Sequence, residues 1–143
     1  MKSRFNVVVV GCGKLGSLVA TRLSAAGHNV VVVDADPEAF STLGRTFSGF
    51  TIAGDATELG VLEQAKVGTA DLLIAATSLD TVNLMVTQTA MQVLGCRSAV
   101  ARVFDPRREA TYQELRVQTV CPTTLAAAEL FERLTASGQV GVP

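Results

Sequence analysis

The chain has 143 residues, 48% of them hydrophobic, which suffices for one core and one domain of ordinary size. Twelve basic against thirteen acidic residues leave a formal net charge of −1, without the basic excess that a nucleic-acid partner calls for. Cys12, Cys96 and Cys121 are odd in number and far apart, so neither a disulfide framework nor a zinc site is expected and no metal ligand is assigned.

No apolar run approaches the roughly 20 residues of a membrane-spanning helix. The opening MKSRFN lacks the apolar stretch of a secretory signal. A reducing cytosol is therefore the expected compartment.

FNVVVV, residues 5–10, is an unbroken β-branched run, as in a strand covered on both faces of a parallel sheet. GCGKLG, residues 11–16, follows at once. Leu15, Leu18, Val19, Leu23 and Ala26 then recur at helical spacing until Gly27 stops the helix. NVVVV, residues 29–33, is a second buried strand. Asp36 as N-cap and Pro37 at the first helical position open the next helix. FTIA, residues 50–53, reads as the third strand, with Asp55 or Thr57 capping a short helix over 58–65. DLLIAA, residues 71–76, is the fourth strand, and a long helix over about 79–94 closes at Gly95. SAVARV, residues 98–103, is the fifth strand; a weaker helix in DPRREATYQEL leads to a short sixth, VQTV, at 117–120. Pro122 opens a last helix to about Thr135.

Strands alternating with helices predict an α/β, Rossmann-like, doubly wound parallel sheet of six strands in the order 3-2-1-4-5-6, as a three-layer αβα sandwich. One nucleotide-binding domain is expected over residues 1–136, with a flexible tail over 137–143.

The glycine loop stands where such a fold binds phosphate. Gly11 allows the tight turn, Gly13 leaves the backbone open to a phosphate, and Gly16 lets the helix approach the sheet. The helix start favours an anion, so the intervening Cys12, Lys14 and Leu15 join the candidate site; the Cys12 side chain reads better as packing than as a nucleophile. Asp34, with Ala35 beside it, ends strand two about 20 residues beyond the loop, where an acid accepts hydrogen bonds from ribose hydroxyls and repels a 2′-phosphate. NAD is thus favoured over NADP. Asp36 is read as a cap rather than a ligand. Gly54, Asp55 and Ala56 follow strand three, where Asp55 can either receive the adenine amine or cap the next helix. Ala76, Thr77 and Ser78 end strand four, suited to ribose or phosphate or to plain capping, and Arg102 ends strand five, suited to phosphate.

Catalysis is not expected. His28, the single histidine, lies in the turn GHN away from the strand ends, so no Ser/His/Asp set can be assembled. Two helices are more apolar than one buried face needs. Val82, Met85, Val86, Ala90, Val93 and Leu94 form one stripe; Leu125, Ala128, Leu130, Phe131 and Leu134 cover more than one face of the last helix. Deep burial and a subunit interface both account for them.

GCGKLG, VVVDAD, AGDAT, AATSLDTVN and AVARVFDP occur in an order and spacing that resembles the TrkA-N, or RCK N-terminal, domain family, over almost the whole chain. The resemblance implies a cytosolic regulator, peripheral to the inner face of the membrane, that binds an adenine nucleotide (AMP, ADP, ATP or NAD/NADH) and gates a Trk/Ktr-type potassium-transporting subunit through rearrangement of a homodimer or larger ring. It implies Gly11, Gly13 and Gly16 at the phosphates, Asp34 at the ribose, Asp55 by the adenine, Thr77 near the ribose, and Lys14 and Arg102 near the phosphates. The family's second, RCK-C domain has no counterpart here, which implies that a second RCK chain supplies it, that it has been removed from a longer chain, or that it is lacking. Lys14 stands where many members carry arginine, and Thr123 where some ATP-binding members carry an acid that places a divalent ion; AMP, ADP or NAD gain weight accordingly. The alternative function is a small NAD-dependent oxidoreductase or a dinucleotide-binding redox sensor.

Overall fold

The computed structural model of the chain describes residues 3–141; Met1, Lys2, Val142 and Pro143, and with them the ends of the expected domain and tail, lie outside the described residues. β1 (Asn6–Val10) is central, pairing in parallel with β2 (Asn29–Asp34) on one side and β4 (Leu72–Ala75) on the other. β3 (Phe50–Ala53) extends the sheet beyond β2, and β5 (Ala99–Arg102) and β6 (Gln118–Val120) extend it beyond β4. The order is β3-β2-β1-β4-β5-β6, as the alternation predicts.

The valine runs explain the two-sided core. Side chains alternate across a strand, so Val7 and Val9 join Val30 and Val32 on one face with Ala20, while Val8, Val10 and Val33 join Leu73 and Leu62 on the other. Each fully buried valine contributes roughly 1.5–3 kcal/mol. A third cluster of Ala101, Val103, Tyr112 and Val117 closes the β5 end.

Among the described residues five α-helices follow the strands: α1 (Lys14–Ala25), α2 (Leu59–Gln64), α3 (Asp80–Gln88), α4 (Glu109–Glu114) and α5 (Pro122–Ala136). The helix expected after Asp36 is instead a 3-10 segment, Pro37–Thr42. Asp36 caps it as expected, accepting from the Glu38 amide at 3.0 Å, but the hydroxyls of Ser41 and Thr42 bond back to the Glu38 and Ala39 carbonyls and stop its growth. The long helix after β4 changes character: α3 passes into a π turn over Thr89–Val93 before Gly95 ends it with φ +75°. Neither Asp55 nor Thr57 caps α2, whose N-cap is Glu58 without a side-chain bond.

The apolar helices divide between the two accounts. On α3 and its π turn, Val86 and Ala90 are buried, whereas Met85 and Val93 are exposed. No residue of α5 is buried: Leu125 is 61% exposed and Phe131 51%. Burial against the sheet is therefore not what makes α5 apolar. Among the described residues no helix is long and apolar enough to cross a membrane.

Candidate functional site

Strand order reverses between β1 and β4, and a crevice of about 800 Å³ opens there at the C-terminal ends of the strands. Gly11 begins it with φ +99°, its amide donating to the Val33 carbonyl at 2.8 Å. A Cβ on Gly11 would stand 2.7 Å from the Ala76 carbonyl oxygen, so both the dihedral and the space require glycine. A Cβ on Gly16 would overlap the Gly11 carbonyl, whereas one on Gly13 would meet nothing within 4 Å. Gly16 thus seats α1 against the loop, and Gly13 leaves a bare backbone facing the crevice. No side chain caps α1 and no acid lies in its first turn, so its N-terminus keeps its positive character.

Gly11, Gly13, Lys14, Leu15, Asp34, Ala35, Gly54, Asp55, Ala56, Ala76, Thr77 and Arg102 all line the crevice. Gly16 and Cys12 do not. Gly16 is buried behind the loop. The Cys12 side chain is buried in the β1–β2 core, with its sulfur 3.6 Å from the Thr42 hydroxyl. Burial pushes the Cys12 thiol up, with a further rise from Asp34 against a lowering by Thr42. The thiolate that a helix N-terminus can favour is therefore opposed here, and packing is the role its side chain plays.

What Cys12 does offer is its amide, which donates to Asp34 Oδ2 at 2.8 Å. The Asp36 amide donates to Oδ1, also at 2.8 Å. The two bonds hold the half-buried carboxylate across the mouth of the glycine loop. Each oxygen keeps a lone pair for a ligand hydroxyl. Asp55 is fully exposed; its Oδ1 accepts from the Thr57 amide and hydroxyl, and these bonds hold its carboxyl below the usual range. Its Oδ2 makes no hydrogen bond among the described residues, so a donor entering the crevice meets a charged acceptor.

The β4–β5 side is built differently. The Thr77 amide and hydroxyl both donate to Asn83 Oδ1, at 2.9 and 2.6 Å. With its proton so used, the Thr77 hydroxyl faces a ligand as an acceptor. Asn83 Nδ2 donates to the Thr77 and Arg102 carbonyls at 3.1 and 3.0 Å. Arg102 Nη1 donates to the Thr77 carbonyl at 3.3 Å, and its guanidinium lies 5.7 Å from the Phe104 ring centroid. Buried Asp80 then ties down the segment after β5, accepting from the Phe104 and Asp105 amides and pairing with Arg108 at 3.3 Å.

The TrkA-N domain profile matches residues 7–123. The chain belongs to this family. Its relatives include the Trk system potassium uptake protein TrkA of Streptomyces coelicolor, 35% identical over 133 residues, or 93% of this chain and 60% of that protein. The chain thus spans about 60% of that relative's length. Among solved structures, the Kef CTD of Shewanella denitrificans in an AMP-bound form is 29% identical with a TM-score of 0.78, over 93% of this chain and 82% of that one. The TrkA-N domain of the Escherichia coli inner membrane protein ybaL shares the fold at TM-score 0.80 and 22% identity, over 90% and 96%.

Within this TrkA-N domain, sequence reasoning passed over Asn83, although a signal was there. Asp80, Asn83 and Thr87 fall at helical spacing on the buried side of α3 beside Val86 and Ala90. Polar residues on a buried stripe must find partners, and Asn83 and Asp80 find them in the strand ends and loops beside the crevice. His28 lies at the other end of the sheet, where its Nδ1 accepts from the Phe5 amide.

Proposed function

We propose that this TrkA-N domain is the nucleotide-sensing part of a potassium uptake regulator. The observation that carries the reading is the Asp34 carboxylate, pinned by the Cys12 and Asp36 amides beside a glycine loop whose middle glycine faces open space. That arrangement suits an adenosine ligand: ribose hydroxyls at Asp34, the adenine amine at Asp55, phosphate at the α1 N-terminus with Lys14, and Thr77 and Arg102 on the opposite wall. The AMP-bound Kef relative and the potassium uptake relative point the same way.

The domain acts by binding rather than turnover. A ligand that prefers one subunit arrangement shifts a homodimer or ring toward it, and the shift is passed to a potassium-transporting membrane subunit at the inner face of the membrane. The apolar, unburied α5 is the surface through which copies associate.

Calorimetric titration with AMP, ADP, ATP, NAD and NADH, with and without magnesium, tests the reading. Saturable binding of AMP, ADP or NAD, unaffected by magnesium, is the expected result. Absence of binding by every adenine nucleotide would reject it.

A further inference from the structure

The two walls of the crevice are held by separate devices. Asp34 and Asp55 are fixed by backbone amides and a neighbouring hydroxyl on their own side of the sheet. Thr77, just beyond β4, and Arg102, at the end of β5, are fixed through one side chain. Asn83 is fully buried, at 0% exposure. Its Oδ1 accepts both Thr77 bonds, and its two Nδ2 protons go to the Thr77 and Arg102 carbonyls. An amide has two donors and one carbonyl, so Asn83 is saturated by these two residues alone and has nothing left for a ligand. The same Thr77 carbonyl also receives Arg102 Nη1, which closes a ring of bonds through Asn83, Thr77 and Arg102.

We infer that Asn83 is a positioning residue for phosphate binding: from inside α3 it locks the ends of β4 and β5 into one unit, so that Arg102 is held at the phosphate side of the crevice with Thr77 beside it. The inference rests on the adenine-nucleotide reading of the site. An apolar residue of the same size would fill the space but would take away these partners of the Arg102 carbonyl and the Thr77 amide and leave the Thr77 carbonyl with Arg102 Nη1 alone, which drives the two strand ends toward other partners. A carboxamide is also the one side chain of that size with two donors and an acceptor on the same planar group.

Asn83→Ala and Asn83→Asp test this together. Alanine removes every bond. Aspartate keeps the shape and the acceptor for Thr77 but replaces the two amide donors with at most one O–H. Thr87→Val is the control, because Thr87 is equally buried on α3 but its hydroxyl bonds only to the Asn83 and Leu84 carbonyls of its own helix. Adenosine, AMP and ADP are titrated into each variant by calorimetry, with thermal melts alongside. Both Asn83 variants are expected to weaken AMP and ADP about tenfold or more while adenosine changes several-fold less, since Asp34 and Asp55 on the other wall supply most of its contacts and Arg102 none. Thr87→Val is expected to lower the melting temperature and leave all three affinities within about twofold. The same Asn83 substitutions made on Arg102→Ala should then have a smaller effect on ADP, because part of what Asn83 positions is gone.

Equal losses for adenosine and ADP, or losses in Thr87→Val that match those of the Asn83 variants, would overturn the inference and make Asn83 a structural residue only. Unchanged ADP binding in both Asn83 variants would also overturn it while leaving the adenine-nucleotide reading intact. Failure of the parent chain to bind any of the three ligands, with ATP, NAD and NADH also failing to bind, would overturn both.

Discussion

In the proposed reading a single carboxylate, Asp34, serves both fold and ligand. It joins the glycine loop to the segment after β2 through the Cys12 and Asp36 amides, and the oxygens that make those bonds also face the crevice. Hydrogen bonds to a charged acceptor are worth about 1.5–3 kcal/mol, so Asp34→Ala should weaken AMP, ADP and NAD by similar factors, roughly 10- to 100-fold. Calorimetry on the three ligands checks this. The assignment of Asp34 to the ribose fails if the tightest ligand binds the variant as well as the parent, or if the loss tracks phosphate number. The position of Asp34 could be read from the sequence because it depends only on a strand, a loop and a spacing. The partners of Asn83 could not. They lie just beyond β4 and at the end of β5, separated from it by 6 and 19 residues, and only the folded sheet brings both to one side chain.

At the scale of elements, the strands were legible because β-branched runs such as those of β1 and β2 admit few alternatives, and the order of the sheet follows from chirality and alternation. The helices were less so. The segment after Asp36 carries a good cap and a first-position proline, yet Ser41 and Thr42 divert its carbonyls and leave a 3-10 segment. The change to a π turn after Gln88 has no pattern in the sequence that announces it. The junction of β1 with α1 yields a sharp comparison between two glycines three residues apart. Gly13 has extended backbone with φ −81° and open space before it, whereas Gly16 abuts the Gly11 carbonyl. Gly13→Ala should therefore fold with a melting temperature within a few degrees of the parent and lose phosphate-ligand affinity, because the new methyl group occupies the path of the phosphate. Gly16→Ala should instead lose stability by about 3 kcal/mol or so, the upper range for forcing a group into a filled site. Thermal melts and AMP titrations of both variants decide it; similar behaviour of the two would remove the division of labour drawn from the loop geometry.

For the whole molecule, the telling feature is the contrast between a sheet saturated with valine and a final helix that buries nothing. α5 carries Leu125, Leu130, Phe131 and Leu134, all exposed, on a chain that spans about 60% of its Streptomyces coelicolor relative. Large exposed apolar patches mark surfaces that are covered in the working assembly, and the start of α5 is close to the crevice: Pro122 lines it, and the Thr123 hydroxyl donates to the Phe104 carbonyl in the segment after Arg102. Association through α5 would thus place a second copy next to the nucleotide. Since no α5 side chain belongs to the core, replacing Leu130 and Phe131 by lysine should leave the melting temperature of the isolated domain almost unchanged while shifting its mass from dimer to monomer. Sedimentation equilibrium across a tenfold or wider concentration range measures this directly. A parent chain that is monomeric throughout, or a double variant that remains dimeric, would remove α5 as the association surface. A variant that becomes monomeric and unfolds at a much lower temperature would show that the core depends on the dimer, a stronger coupling than the burial of the single chain predicts.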